Sequence, residues 1–230
     1  MKKIILVIFH LFILNSAAIA LVEIDITRGN LNPLPIAISP LYVEPGSKDI
    51  KQSNKIIKNI GEEISKLIEI NFRRSGLFNP LKKESFVQNP DVAHAKPRFE
   101  DWRLIKTQAL VTGKVSVSDD KLRTEFRLWD VVAAKEMIAL AFSTTPENWR
   151  RVAHIISDKV YQRLTGEKGY FDTRIIYVSE AGEKTQRFKK LAIMDQDGAN
   201  VKYLTLGNEL VLTPRFSPKN QLVTYLSYFR

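Results

Sequence analysis

The sequence predicts an α/β domain, with a mixed sheet and two long helices, followed by the start of an all-β propeller: its first blade and part of its second. Two observations support this prediction. Apolar residues recur at helical spacing in residues 49–74 and 146–165, on either side of a strand-rich region. From residue 171 onward, short apolar runs alternate with tight turns, and no helical pattern intervenes. Four antiparallel strands joined in this way make one propeller blade.

Composition narrows the class of protein. The chain has 230 residues, of which 44% are hydrophobic and 26% charged, and a length of roughly 150 residues per domain predicts one or two domains. Cysteine is absent, which excludes disulfides and a thiol nucleophile. The net charge of +10 would suit binding to nucleic acid, but the basic residues are scattered among acidic ones. We therefore expect a solvated basic surface and no nucleic-acid partner.

Residues 1–20 have the pattern of a secretory signal peptide. Lys2 and Lys3 precede an apolar run at residues 4–14, which is shorter than the ~20 residues that span a bilayer. Ala18 and Ala20 form a cleavage site of the A-x-A type, so we expect cleavage between Ala20 and Leu21. The alternative is a retained signal anchor. The favoured interpretation is export to the periplasm without stable membrane insertion.

The predicted mature N-terminus alternates apolar and polar residues, which is the period of a strand with one buried face. Residues 21–32, which include the Arg28-Gly29-Asn30 break, are interpreted as a flexible segment that binds a partner by adding a strand to its sheet. The alternative, that this stretch is simply the first strand of the following domain, is equally compatible with the sequence. The candidate binding residues are Leu21, Val22, Glu23, Ile24, Asp25, Ile26, Thr27 and Arg28.

Residues 33–166 are predicted to form the α/β domain. A strand over residues 35–43 is interrupted at Pro40, and a helix over residues 49–74 ends at Gly76. A short helical turn over residues 100–105 is expected to pack Trp102 inward. Strands over 109–117, 122–129 and 136–143 form a meander, and Thr145 and Pro146 begin a second helix that ends at Gly166.

Residues 167–172 are predicted to be a linker, and residues 173–230 to be incomplete propeller repeats. A turn at residues 195–198, which ends in Asp-Gly, and a Ser-Pro turn at residues 217–220 separate short strands. The strands are predicted at residues 174–179, 188–194, 201–206, 210–216 and 222–228.

Motifs that would indicate catalysis or a cofactor are missing from the sequence. His94 and His154 have no spacing that predicts a metal site, and His154 is interpreted as a surface or packing residue. Asp195 and Asp197 suggest a calcium loop, but Leu206 stands where the bidentate Glu is needed, so a turn is favoured. We predict a binding module with no catalytic, cofactor-binding or metal-binding residues.

Several motifs together resemble the TolB family, the periplasmic component of the bacterial Tol–Pal envelope system. The resemblance runs from the signal peptide to the C-terminus. The motifs that carry it are FRRSGLFNPL at 72–81, LVTGKV at 110–115, DKVYQRLTG at 158–166, FDTRIIYV at 171–178, MDQDGAN at 194–200 and LTPRFSPKNQLVTY at 212–225.

The resemblance implies an N-terminal α/β domain and a six-bladed propeller. In the family, the mature N-terminus binds the C-terminal domain of the inner-membrane protein TolA, and the propeller binds the outer-membrane lipoprotein Pal. The system acts in outer-membrane invagination at division and in outer-membrane integrity. Residues 21–28 occupy the TolA-binding position, which favours the strand-donor interpretation. The implied role is a non-catalytic link between TolA and Pal.

The sequence departs from the family pattern in two ways. Lys219 and Asn220 stand where the repeat turn usually has Asp-Gly, and most propeller blades lie outside the sequence, as in a C-terminally truncated TolB. The chain therefore carries the TolA-binding position but only part of the Pal-binding propeller. Two alternatives are the propeller part of an exported serine peptidase and an inactive truncated remnant.

Overall fold

The computed structural model describes residues 32–52, 55–183, 187–207 and 209–229. The predicted signal segment, the cleavage site at Ala20 and Leu21, and the candidate binding residues 21–28 lie outside the described residues and stay predictions. Within the described part of the chain, no helix combines the length and the apolar character needed to cross a membrane.

The first part of the chain folds into an α/β domain with a six-stranded mixed sheet, as predicted. The domain contains the strands β1 (Leu34–Ile38), β2 (Tyr42–Val43), β3 (Ile50–Gln52), β4 (Lys55–Ile57), β5 (Phe78–Pro80), β6 (Ala109–Val117), β7 (Leu122–Asp130) and β8 (Lys135–Thr144). Strands β3 and β4 form a separate pair outside the six-stranded sheet. Its helices are α1 (Ile60–Ser75), α2 (Pro90–Ala93), α3 (Phe99–Leu104) and α4 (Trp149–Thr165), with 3₁₀ turns at Lys83–Ser85 and Pro146–Asn148.

The sheet has the strand order β5-β1-β6-β7-β8, and β2 also pairs with β6. Strand β1 runs parallel to both β5 and β6, whereas β6, β7 and β8 form the predicted antiparallel meander. Strand β1 is flanked on both sides, whereas β5, β8 and the short β2 each pair with one strand among the described residues. The break at Pro40 separates β1 from β2, as the sequence indicates.

The prediction of one helix over residues 49–74 is wrong at its start. Strands β3 and β4 form an antiparallel pair over residues 50–57, and α1 begins only at Ile60. Its N-cap is Asn59, whose side chain accepts a hydrogen bond from the amide of Glu62. In β4, Ile56 is 56% exposed and Ile57 is 4% exposed, because neighbouring residues of a strand point to opposite sides.

Helices α1 and α4 pack together and cover one face of the sheet, where the main hydrophobic core lies. A smaller cluster on the other face is centred on Trp102, which packs inward from α3 as predicted and contacts Phe86. Trp102 donates its indole hydrogen to Gln88. Both long helices end at glycines in the left-handed conformation, Gly76 and Gly166, as predicted from the sequence.

The second part of the chain contains two small antiparallel sheets. Its strands are β9 (Arg174–Ala181), β10 (Phe188–Asp195), β11 (Lys202–Tyr203), β12 (Glu209–Phe216) and β13 (Val223–Phe229). Strands β9, β10 and β11 form one sheet, and β12 pairs with β13 in the other. Strand β12 packs against β9 and β10, so the two sheets are layered as neighbouring blades are in a propeller.

Gly61 generates a stability prediction, because a Cβ at this position would lie 2.0 Å from the carbonyl oxygen of Leu41. Alanine normally favours a helix over glycine, but Gly61→Ala should destabilise the fold by about 1–3 kcal/mol through overpacking. Urea unfolding measures the change. Lys66→Ala, on the exposed side of the same helix, is the control and should be neutral. Equal stability of Gly61→Ala and the parent chain would contradict this account of the packing.

Candidate functional site

The turn at residues 195–198 contacts the α/β domain through side chains and backbone. The amide of Asp195 donates to the carbonyl of Ala199, and the amide of Gly198 donates to the carbonyl of Asp195. Gly198 has a φ of 86°, which favours glycine. The predicted turn is therefore confirmed, and it projects Gln196 and Asp197 toward helices α1 and α4.

Three side-chain contacts join this turn to the two helices. The carboxylate of Asp197 forms a short ion pair with Arg150 on α4. The side-chain amide of Gln196 donates to Oδ1 of Asn71 on α1 at 3.2 Å. Arg74, also on α1, donates to the backbone carbonyl of Gln196 at 3.3 Å. The turn is thus held by one charge pair to α4 and by two hydrogen bonds to α1.

Beneath the turn, Asn71 joins the two helices to each other. Its Nδ2 lies 3.0 Å from Nδ1 of His154 and donates to Oγ of Ser157 at 2.9 Å. All three side chains are at most 2% exposed. Buried polar groups of this kind stabilise one arrangement only when they are paired, so the network fixes how α1, α4 and the turn fit. We call the following residues the joint: Asn71, Arg74, Arg150, His154, Ser157, Gln196 and Asp197.

The electrostatics of the joint set the charge states of its members. Burial lowers the pKa of His154, although the carboxylate of Asp197 acts in the opposite direction. Burial acts to raise the pKa of Asp197, but the hydrogen bond from the amide of Ala199 and the charge of Arg150 outweigh it, and the net direction is downward. The joint therefore combines a neutral imidazole with an ionised carboxylate at neutral pH.

Asp158 on α4 anchors the segment that connects the two parts of the chain. Its two carboxylate oxygens accept hydrogen bonds from the amides of Phe171 and Asp172, at 2.7 and 3.0 Å. Burial raises the pKa of Asp158, although the two amides act in the opposite direction. Arg151, which follows Arg150 on α4, also pairs with Asp172. The predicted linker at residues 167–172 is thus fastened to α4 at its end.

An aromatic cluster lies beside this anchor. Phe171 packs edge-on against Phe72 and Tyr161, with ring centroids 6.1 and 5.8 Å apart. Phe72 also contacts Phe78, at 4.7 Å. Phe72 and Phe171 are 0% and 1% exposed, so the connecting segment contributes to the main core of the α/β domain. The apolar cluster and the polar joint together attach the first blade to this domain.

The structure brings together several sequence-predicted features and leaves others apart. His154 is buried beneath the turn, while His94 lies elsewhere and stacks on Tyr42 at 4.8 Å. Sequence reasoning did not identify Asn71 and Arg150, because their partners are far away along the chain. The family motifs could have indicated this region, because four of them meet at or beside the joint. These are the motifs at 72–81, 158–166, 171–178 and 194–200.

These features define a class of protein: a two-domain scaffold in which an α/β domain is fastened to the first strands of a β-propeller. The TolB amino-terminal domain matches residues 22–137, and the TolB beta propeller domain matches residues 161–230. The chain belongs to the TolB family.

Two relatives show the extent of the likeness. The Tol-Pal system protein TolB of Pelagibacter ubique (strain HTCC1062) is 71% identical over 226 residues, which cover 97% of this chain and 50% of that relative. The crystal structure of TolB from Acinetobacter baumannii superposes with a TM-score of 0.68 at 22% identity, over 89% of this chain and 46% of that one. The chain therefore spans about half the length of the relatives it matches.

The anchor of the connecting segment generates a second prediction. Asp158→Asn keeps the size of the side chain but leaves one acceptor oxygen for two backbone amides, so one buried donor loses its partner. The variant should be less stable by about 1–3 kcal/mol in urea unfolding. Amide hydrogen exchange should accelerate at Phe171 and Asp172.

Asp120→Asn, in the exposed turn between β6 and β7, is the matched control and should leave both measurements unchanged. Unaltered exchange at Phe171 and Asp172 in Asp158→Asn would show that the carboxylate does not hold this segment.

Proposed function

We propose that the chain is a periplasmic binding component of the Tol–Pal system and performs no catalysis. The observation that carries this proposal is the pair of TolB domain matches, together with a relative named Tol-Pal system protein TolB that is 71% identical. The geometry is consistent with a scaffold, because the hydrogen bonds and the ion pair of the joint connect the two parts of the chain. Their role is then to hold two binding surfaces in a fixed relation.

In this proposal the leading end binds the C-terminal domain of TolA. The alternating residues Val22, Glu23, Ile24, Asp25, Ile26 and Thr27 would add a strand to an edge of the TolA sheet. Main-chain hydrogen bonds supply affinity in this mode, and the apolar side chains on one face supply specificity.

The sheet topology supports the proposed role of the leading end. Strand β1 follows residues 21–28 in sequence, and it already has β5 on one side and β6 on the other. A segment ahead of β1 therefore has access to this sheet only at its edges. A strand that pairs at an edge is exchangeable, whereas a central strand is not, so this arrangement favours a donor over a structural strand.

The propeller would bind Pal, and the complete assembly would link the inner membrane to the outer membrane. This link would serve outer-membrane invagination during cell division and outer-membrane integrity. Strands β9–β13 supply only the first part of that propeller. We propose that the leading end alternates between docking on its own protein and pairing with TolA, which requires different contacts in the two states.

Capture by the TolA C-terminal domain tests the proposal. An immobilised TolA domain should retain the purified mature chain, and deletion of residues 21–28 should abolish retention, because the donor strand is lost. Ile24→Pro should weaken binding strongly, since proline removes a ladder hydrogen bond. Ile24→Val, which keeps the apolar face and the β propensity, is the matched control and should bind like the parent.

Retention of the chain after the deletion would refute strand donation. Retention of Ile24→Pro with the affinity of Ile24→Val would show that the segment binds without forming a ladder.

A further inference from the structure

Two residues of the joint and the neighbouring Asp195 place three potential metal ligands together. The imidazole of His154 and the carboxylates of Asp195 and Asp197 each offer one ligand atom, and these atoms lie within 4.8 Å of one another. We propose that His154, Asp195 and Asp197 bind a divalent transition-metal ion of the zinc class between α4 and the turn. This site is independent of the proposed Tol–Pal role and of the leading end.

The buried imidazole is the observation that points to a ligand. His154 is 2% exposed, and its Nε2 has no hydrogen-bond partner among the described residues. This nitrogen faces Oδ2 of Asp197 at 3.6 Å, which is too long for a hydrogen bond. A buried polar atom without a partner is unfavourable, and a bound cation would satisfy it.

The remaining groups around the site would orient the ligands. Oδ2 of Asp195 accepts a hydrogen bond from Asn200 at 2.6 Å, and Oδ1 of Asp197 accepts one from the amide of Ala199 at 3.0 Å. Each carboxylate retains lone pairs for a metal ion. Outer hydrogen bonds of this kind fix ligand orientation in known metal sites. One imidazole and two carboxylates suit zinc better than calcium, which prefers oxygen ligands alone.

Metal binding at Nε2 requires that the proton of His154 reside on Nδ1. Asn71 lies 3.0 Å from that nitrogen, and its amide can present either its oxygen or its nitrogen, depending on the orientation of the group. Gln196 can reverse with it, because an amide both donates and accepts, whereas Ser157 would have to turn its one hydroxyl proton from the carbonyl of Ala153 to Asn71. The network is thus able to stabilise the tautomer that leaves Nε2 free to coordinate.

Arg150 should weaken metal binding at this site, because its guanidinium pairs with Asp197 and would lie near the metal ion. Among the residues of the site, the two carboxylates outnumber this one positive charge, although Arg151, Arg174 and Lys202 line the adjoining cleft. The side chain of Arg150 is 22% exposed, so it has room to shift toward solvent. We therefore expect Arg150→Gln to bind zinc more tightly than the parent chain, by removing the competing cation.

A cleft of about 240 Å³ between the start of α4 and strand β10 reaches Asp195, one of the three proposed ligands. Asp195 and Asn200 line this cleft, together with Asp172. A metal ion would fasten the turn to α4 in addition to the pair between Arg150 and Asp197. It would stabilise the folded chain in proportion to its occupancy.

Titration calorimetry with zinc chloride on the purified chain tests the proposal. The parent should bind one equivalent at this site, and Asp195→Asn and His154→Ala should each weaken binding about tenfold or more. His94→Ala removes a histidine far from the joint and is the matched control, with unchanged affinity. Circular dichroism establishes that each variant is folded, and Asp195→Asn, which keeps the side-chain size, guards against a folding defect in His154→Ala.

Cobalt provides a second readout. The parent should show visible absorption bands of protein-bound cobalt, and these should be lost in Asp195→Asn but kept in His94→Ala. Zinc should also raise the melting temperature of the parent. Absence of zinc binding by the parent, or equal affinity in Asp195→Asn and His94→Ala, would overturn the proposal.

Discussion

The structure depends on the docking of one turn onto two helices. The ion pair between Asp197 and Arg150 and the hydrogen bond from Gln196 to Asn71 connect the first propeller sheet to α4 and α1. An isolated small sheet is marginally stable in water, because it buries too little apolar surface. Attachment to a well-packed α/β domain gives β9, β10 and β11 a support that their own side chains do not supply.

The polar character of this attachment explains its specificity. An apolar interface tolerates sliding, whereas a buried amide or carboxylate is satisfied in only one position. Removal of one partner would leave Asn71 or Asp197 buried and unpaired. The free-energy cost of such an unpaired group is larger than the net stabilisation from one hydrogen bond. The aromatic contact of Phe171 with Phe72 adds apolar burial next to this polar network. The combination fixes both the position and the orientation of the blade.

Local patterns predicted most of the fold, and contacts distant in sequence account for what they missed. The strand over residues 109–117 was predicted with its observed ends, because its apolar run and flanking turn are local signals. The predicted start of α1 was wrong, because the isoleucines at residues 50–57 fit a helical period and a strand pair equally well. The joint was not predicted, since its pairs join residues from 47 to 125 positions apart. The motif at 194–200 indicated family membership but not which side chains it meets.

The joint and the last two strands differ in how far the described residues satisfy their side chains. Every member of the joint lies between Asn71 and Asp197, so its contacts are all made within the described chain. Strands β12 and β13 instead expose large apolar side chains, including Leu226 and Tyr228 at 52% and 55%. Such a face is stable in water only when another surface covers it, and in a propeller that surface is a neighbouring blade. The contacts of the joint are therefore complete within the described residues, whereas the apolar face of β12 and β13 calls for a further sheet packed on it.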